Sequence, residues 1–392
     1  MMRLCRFLFC VSEYVDTLKL GVFAVYKNIF ERMYMHQMKW KIGWGLTNKC
    51  NMNCPFCYSK KARQDSEDIS FEYAARFIDE NHNYIDSINY GTGENTLSDN
   101  WRNVLRYVAQ NYPDIGQALT TNGYLSEILL SKENEYILKS LDEVDVSFDM
   151  ADKHEFNKLR GIPNAYDWAM QTIRVCKENN IKTTLVTILI DKTIHIENLE
   201  KMIEISRKHD CFLRLNIFRP NINQDLASVK YERIKDTLLW MLNQSSVVSL
   251  CDPLFSALLT SEKKTDNSGK SSLRILPNGS ITPSTYLVSD QWIFGNIKDG
   301  VSLKENPFKS IMNEIDLENN IPDDCIDCPI VNQCMGGAMD RRVIWYNTLK
   351  RRDPYCPFEN NDNLDAWQSN SINYKEGPNI HDGYLPTLIF KP

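Results

Sequence analysis

Residues 42–59 read IGWGLTNKCNMNCPFCYS: a short apolar run at 42–46, then a loop carrying Cys50, Cys54 and Cys57. The run has the length and content of a buried strand. Working outward, the chain from residue 41 to about 220 alternates short apolar runs with longer amphipathic ones. Strands are predicted at 42–46, 87–90, 117–121, 143–149, 182–190 and 211–218. Helices are predicted at 70–85, 99–111, 124–140, 164–179 and 195–208. Such alternation gives a parallel sheet with helices packed outside. Six strands fall short of a closed eight-stranded barrel, so the predicted fold class is α/β, a partial (β/α)6 barrel. In folds of this kind active residues sit at the carboxyl ends of the strands.

The remaining segments frame that barrel. Residues 1–38 read as an N-terminal helical arm, with apolar positions at Leu18, Leu20, Val22, Phe23, Val25 and Tyr26. The barrel is expected over 39–225 and a helical bridge over 226–270, helical at 228–260. A further domain, 271–360, opens on SSLRILPNGSITP, which reads as a β-hairpin turning at Asn278-Gly279. Residues 361–392 read as a tail whose apolar YLPTLIF is available to pack back on the body.

Composition narrows the class. Of 392 residues, 43% are apolar and 24% charged, enough for a sizeable core. A net charge of -6 argues against a nucleic-acid surface. The opening MMRLCRFLFCVSEYV is a poor signal peptide, and the chain has no run of about 20 apolar residues, so neither secretion nor a membrane span is expected. The twelve cysteines are clumped, three within 50–57 and three within 325–334, which fits thiolate ligation of metal better than long-range disulfides. Clumped free thiols imply a reducing compartment, and the cytoplasm is the expected location.

Cys50-x3-Cys54-x2-Cys57 offers three thiolates from one loop. Zinc sites usually take four ligands, whereas three thiolates suit three corners of a cubane iron–sulfur cluster. The fourth iron, left without a protein ligand, can bind the amine and carboxylate of S-adenosylmethionine. Tyr58, beside the third cysteine, would suit contact with the adenine. A zinc or disulfide loop is the alternative reading of the same spacing.

The segment resembles the signature of the radical S-adenosylmethionine superfamily. Asn89-Tyr90-Gly91-Thr92-Gly93-Glu94 falls where that family has its Gly-Gly-Glu motif, although Thr92 splits the glycines and Asn95 follows where Pro is frequent. The resemblance implies that Gly91, Gly93 and Glu94 grip the methionyl amine. A plain βα turn would account for the glycines but gives no reason for Glu94. Thr120-Thr121-Asn122-Gly123 is a common ending of the third strand in the family. The string Val146-Ser147-Phe148-Asp149, His154, Arg160-Gly161 resembles a stretch of one large subgroup. It implies Ser147 at the ribose or methionyl group and Arg160 on the methionyl carboxylate. Asn216, in LRLNIFRP, is a further candidate for the ribose. Ordinary loop hydrogen bonding is the other reading of these three residues.

Cys325-x2-Cys328-x5-Cys334, with Cys356 after 21 intervening residues, gives four thiols that could hold a second [4Fe-4S] cluster or zinc. The arrangement resembles the SPASM/twitch extension, which in full form carries two auxiliary clusters. Here Ser284 and Ala338 stand where two of its cysteines would fall. The resemblance implies one auxiliary [4Fe-4S] cluster on Cys325, Cys328, Cys334 and Cys356, acting as an electron relay or a structural clip.

Among the other cysteines, Cys176 is expected in the core, Cys211 lies at the amino end of the sixth strand, and Cys5 and Cys10 carry no assigned role. Cys251, just past the barrel, is a candidate hydrogen-atom donor or else a small buried apolar residue. The expected function is reductive cleavage of S-adenosylmethionine to a 5′-deoxyadenosyl radical that abstracts a substrate hydrogen. The substrate class implied by the resemblance is a ribosomally made peptide, crosslinked, given a thioether or epimerised. The alternatives are a dehydrogenase or rearrangement enzyme acting on a small metabolite such as an amino sugar or nucleoside, and a non-catalytic iron–sulfur electron carrier or scaffold. A flavodoxin- or ferredoxin-type reductant is the expected partner.

Overall fold

The computed structural model describes residues 39–60, 63, 67–220, 229–260, 262–311, 321–375, 377 and 386–392. The expected N-terminal arm, with Cys5 and Cys10, lies outside them. Six parallel strands follow one another in sequence and in space: β1 (Trp40–Trp44), β2 (Ile85–Tyr90), β3 (Gly116–Thr121), β4 (Glu143–Ser147), β5 (Lys182–Leu189) and β6 (Phe212–Ile217). Their helices are α1 (Phe71–Asn81), α2 (Asp99–Asn111), α3 (Leu125–Ile128), α4 (Tyr136–Ser140), α5 (Lys153–Arg160), α6 (Ala165–Glu178) and α7 (Ile196–His209). This is the expected α/β partial barrel.

Local sequence explains the pieces. In α2 the buried residues Trp101, Val104, Leu105 and Val108 recur at helical spacing, and the Ser98 hydroxyl accepts from the N–H of Trp101 at its start. The predicted helix 124–140 is instead two short helices, α3 and α4, separated by residues 129–135. Helix α5 has no counterpart among the predicted elements. Asp152 caps it by accepting from the N–H of Glu155 at 2.9 Å, and Gly161 ends it with φ +73.

Beyond the barrel the chain is less regular than a helical bridge. It forms α8 (Tyr231–Gln244), a strand β7 (Ser246–Leu250) and α9 (Pro253–Leu259). The hairpin is present as β8 (Ser272–Ile275) and β9 (Ile281–Thr282), and β8 runs parallel to β1 with Lys41 opposite Ser272. The helix α10 (Val331–Cys334) and α11 (Met339–Tyr346) follow. The tail packs back, as β10 (Leu388–Lys391), antiparallel to both β6 and β7. The sheet order is therefore β7-β10-β6-β5-β4-β3-β2-β1-β8-β9. Among the described residues no helix is long and apolar enough to cross a membrane.

Candidate active site

The parallel strands deliver their carboxyl ends to one face, and the residues there line a single cavity. The loop after β1 contributes Cys50, Cys54, Cys57 and Tyr58; the end of β2 contributes Asn89, Gly91, Thr92 and Gly93. Ser147 and Asp149 come from β4 and the segment after it, Arg160 from α5, and Arg214 and Asn216 from β6. Of the expected site residues, the three cysteines, Tyr58, Gly91, Gly93, Ser147, Arg160 and Asn216 share this lining. Glu94 and Cys251 are not part of it.

The cysteine loop is held from both sides. Asp68 accepts from the Thr47 hydroxyl and from the Asn48 N–H, each at 2.7 Å. On the other flank the N–H of Glu94 donates to the Lys49 carbonyl at 2.8 Å. Gly93, at φ +64, is required there, because a Cβ would come within 2.5 Å of that same carbonyl oxygen.

Each sulfur of the loop has a nitrogen donor beside it. Asn122 Nδ2 is 3.9 Å from Cys50 Sγ, Arg160 Nη1 is 3.8 Å from Cys54 Sγ, and Arg63 Nη2 is 3.9 Å from Cys57 Sγ. The Ser59 hydroxyl lies a further 3.2 Å from Cys57 Sγ. Burial pushes the Cys50 thiol up to about 11. It also raises Cys54, where Arg160 pulls the other way. Buried thiols ringed by donors suit an anionic thiolate cluster, in which hydrogen bonds to sulfur tune the potential. Among the described residues no group of three His, Cys, Asp or Glu side chains could hold a single metal ion. A four-iron cluster spaces its thiolates around a larger body than one ion does.

Glu94 stands just behind this lining. It is fully buried and accepts from the Asn122 N–H at 2.7 Å, the Thr121 hydroxyl at 3.0 Å and the Thr96 hydroxyl at 2.7 Å. Burial raises its pKa, while these donors oppose the rise. Arg160 pairs with Asp149 and lies over the Phe56 ring at 5.2 Å. Burial opposes its charge, but Asp149 and then Cys54 hold its pKa above the ordinary value. Tyr58 packs edge-on against Tyr286, 5.5 Å away. Tyr286 in turn lies under Arg219 at 4.7 Å.

Sequence reasoning missed three lining residues: Arg214, paired with buried Asp145; Arg274, on β8; and Tyr286. Period-2 alternation along β6 would have turned Arg214 and Asn216 to the same face. Nothing local marks Arg274, whose place depends on β8 joining β1.

The second set of cysteines is also free thiols, Cys325, Cys334 and Cys356 buried and Cys328 half-buried. Burial pushes Cys325 and Cys334 up to about 12, and the neighbouring thiols of the set add to the rise in both. Cys356 is pushed up to about 11, again by burial. The four therefore lie within electrostatic reach of one another. Buried ion pairs tie this region to the barrel: Arg341 binds Asp252 at the start of α9 and Asp353 near Cys356, and Arg219 pairs with Asp340 at 2.8 Å. Cys251 sits beside the cavity rather than in it, its N–H on the Thr387 carbonyl and its sulfur 3.4 Å from the Ser249 hydroxyl.

A six-stranded parallel partial barrel with three cysteines on the loop after its first strand defines a class of enzyme. Residues 44–205 match the family model described as the Radical SAM superfamily. Radical SAM enzymes use S-adenosylmethionine and a [4Fe-4S] cluster. Among curated relatives, the Fe-coproporphyrin III synthase of Methanosarcina barkeri is 24% identical over 357 residues, 80% of this chain and 86% of that protein. The GTP 3′,8-cyclase of Clostridium perfringens is 25% identical over 174 residues, 43% of this chain. The chain spans about half of that cyclase, 52% of its length. Among solved structures, native anSMEcpe with bound AdoMet and Cp18Cys peptide superposes with a TM-score of 0.64 at 17% identity, covering 84% of this chain and 96% of that one. Streptococcus suis SuiB bound to precursor peptide SuiA gives 0.61 at 15% identity, covering 87% and 81%.

Proposed function

We propose that this radical SAM enzyme modifies a peptide, with S-adenosylmethionine bound above a [4Fe-4S] cluster on Cys50, Cys54 and Cys57. The observation that carries the cluster assignment is the shared cavity lining of the three cysteines, each with a nitrogen donor at its sulfur. The bound cofactor and cluster would supply a 5′-deoxyadenosyl radical able to take a hydrogen atom from substrate. The chain's own residues bind and orient. Arg160, fixed by Asp149, is the group for the methionyl carboxylate. The backbone of Thr92 and Gly93, with Ser147 and Asn216, offers the polar contacts for the remainder, and Tyr58 is the flat surface for adenine. Glu94 acts by fixing Asn122 against the cysteine loop.

The peptide reading is supported by two neighbours of the same fold, solved with the Cp18Cys peptide and with precursor peptide SuiA. A small-molecule substrate is the second reading, favoured by the Fe-coproporphyrin III synthase relative that spans most of this chain. The four thiols Cys325, Cys328, Cys334 and Cys356, gathered within electrostatic reach of Cys334, support a second, fully ligated cluster that would relay electrons from a flavodoxin- or ferredoxin-type reductant.

Iron and sulfide content after anaerobic reconstitution tests the cofactors. About eight irons per chain, falling to about four in a Cys50/Cys54/Cys57→Ala variant, is the expected result for two four-iron clusters. About four irons falling to none would remove the second cluster. Candidate precursor peptides deuterated at single residues test the substrate class: the expected result is deuterium in the 5′-deoxyadenosine released. Label-free 5′-deoxyadenosine with every peptide would favour the small-molecule reading.

A further inference from the structure

We propose that Arg274 anchors a carboxylate of the substrate in the cavity of this enzyme. Three guanidinium groups line that cavity, from Arg160, Arg214 and Arg274. Two have their own counter-charges, Arg160 in Asp149 and Arg214 in Asp145. Arg274 has none among the described residues. It is 5% exposed, its side chain's one hydrogen bond among the described residues runs from Nη2 to the Thr92 hydroxyl, and its Nε is buried without a partner there. The nearby carboxylate of Glu94 is taken up by Asn122, Thr121 and Thr96.

A buried cation without a counter-charge is costly, and the fold makes deliberate room for this one. Gly43 lies in the middle of β1, where glycine weakens a strand. A Cβ there would strike Nη1 of Arg274 and come within 3.0 Å of its Cδ. At Gly91 a Cβ would stand 3.3 Å from Nη2. Two glycines thus cradle a guanidinium whose Nε is unspent. Clamping Thr92, which holds φ +82, uses one N–H of Nη2 and leaves Nε without a task.

The ligand class follows from the charge. Guanidinium donors match a carboxylate in a planar, two-point pairing. One uncompensated unit charge suits a monoanion. A polyphosphate would call for several free cations, and the other two here are already paired. The carboxylate could come from a peptide's C-terminus or from an acidic side chain. The inference rests on the reading of this cavity as the cofactor and substrate site, and binding measurements separate the two.

The test is equilibrium binding to the full chain, anaerobically reconstituted and saturated with S-adenosylmethionine, at constant ionic strength. The probes are N-acetylalanine for a terminal carboxylate, N-acetylaspartate α-amide for a side-chain carboxylate, and N-acetylalanine amide as the neutral control. At least one carboxylate should bind and the amide should not; which one binds identifies the source. In Arg274→Gln the probe's Kd should rise tenfold or more, and in Arg274→Lys the loss should be smaller. No carboxylate binding to wild type, or equal affinity in Arg274→Gln, overturns the proposal. So does a tenfold loss of S-adenosylmethionine affinity in Arg274→Gln, since the guanidinium would then serve the cofactor. Should Arg274→Gln fail to fold, Arg274→Lys decides: a Kd raised threefold or more is expected, and an unchanged one overturns the assignment. If wild type binds no S-adenosylmethionine, the reading of the site falls, while the same probes without cofactor still decide Arg274.

Discussion

Asn122 binds Glu94 with its backbone and the cysteine loop with its side chain: its N–H donates to Glu94 Oε2 at 2.7 Å, and Nδ2 donates to Asn51 Oδ1 at 2.7 Å. Nδ2 also stands 3.9 Å from Cys50 Sγ. The end of β3 thereby locks the turn after β2 to the loop after β1. Glu94 is an acceptor for this joint, its carboxylate taking the donors of Asn122, Thr121 and Thr96.

Glu94→Gln places an amide N–H among these donors and leaves buried groups unpaired, so it should cost about 1–3 kcal/mol of stability. The pH dependence has a definite sign. Burial raises the folded-state pKa of Glu94 above its unfolded value. Its stabilising contribution is then fullest below the ordinary carboxyl range and declines as pH rises through the raised value. The stability gap between wild type and Glu94→Gln should therefore widen on acidification from neutral pH toward the ordinary carboxyl range, as read from urea midpoints. A gap that narrows on acidification would reverse the assignment.

Arg160 is 8% exposed, bound to Asp149, and 3.8 Å from Cys54 Sγ through Nη1. If it takes the methionyl carboxylate, Arg160→Met removes a charged hydrogen bond of about 1.5–3 kcal/mol. S-adenosylmethionine affinity should fall about 10- to 100-fold in equilibrium binding. Arg160→Lys should recover only part of it, because an ammonium cannot span carboxylate, sulfur and ligand together. Wild-type affinity in Arg160→Met would take the residue out of the cofactor site.

Arg341 is fully buried between Asp252 and Asp353, with Nη2 2.9 Å from Asp252 Oδ1 and Nε 2.9 Å from Asp353 Oδ2. Asp252 also accepts from the N–H groups of Leu254 and Phe255, and Asp353 from that of Ala338. Arg341→Met leaves two buried carboxylates without their cation, a loss of about 3–5 kcal/mol. Denaturant unfolding of the cluster-free chain should show it. An unchanged midpoint would mean that the network contributes little.

The six parallel strands and the cysteine loop were legible because they are local: short apolar runs, amphipathic spacing and C-x3-C-x2-C each lie within one segment. Helix α5 was legible in principle, since Asp152, Glu155 and Gly161 are start and stop signals, but its eight residues hold only Phe156 and Leu159 as an apolar face. Strand β7, SVVSL, lies between two helices within a segment read as helical throughout, and its identity depends on β10 arriving from the end of the chain. Arg274 is the same case in the site itself. Its position over Gly43 and Gly91 exists only because β8 pairs with β1, and no spacing along the chain encodes that.

Cys251 gives the last prediction. As a hydrogen-atom donor it would need its sulfur at the substrate, yet it is not among the residues lining the cavity, although its N–H donates to the carbonyl of Thr387, which is one of them. Strand β7 runs parallel to β6, so Cys251 stands at the same carboxyl-end face as the site, but its sulfur lies 3.4 Å from the Ser249 hydroxyl on β7. Cys251→Ala should therefore leave product yield per 5′-deoxyadenosine within about twofold of wild type, a change under 0.5 kcal/mol. Reactions run in deuterated solvent provide the check, because a donor thiol exchanges its hydrogen with solvent. Solvent deuterium entering the product with wild type but not with Cys251→Ala, while 5′-deoxyadenosine still forms, would put the thiol back in the reaction. It would also require the Cys251 side chain to turn into the cavity when substrate binds.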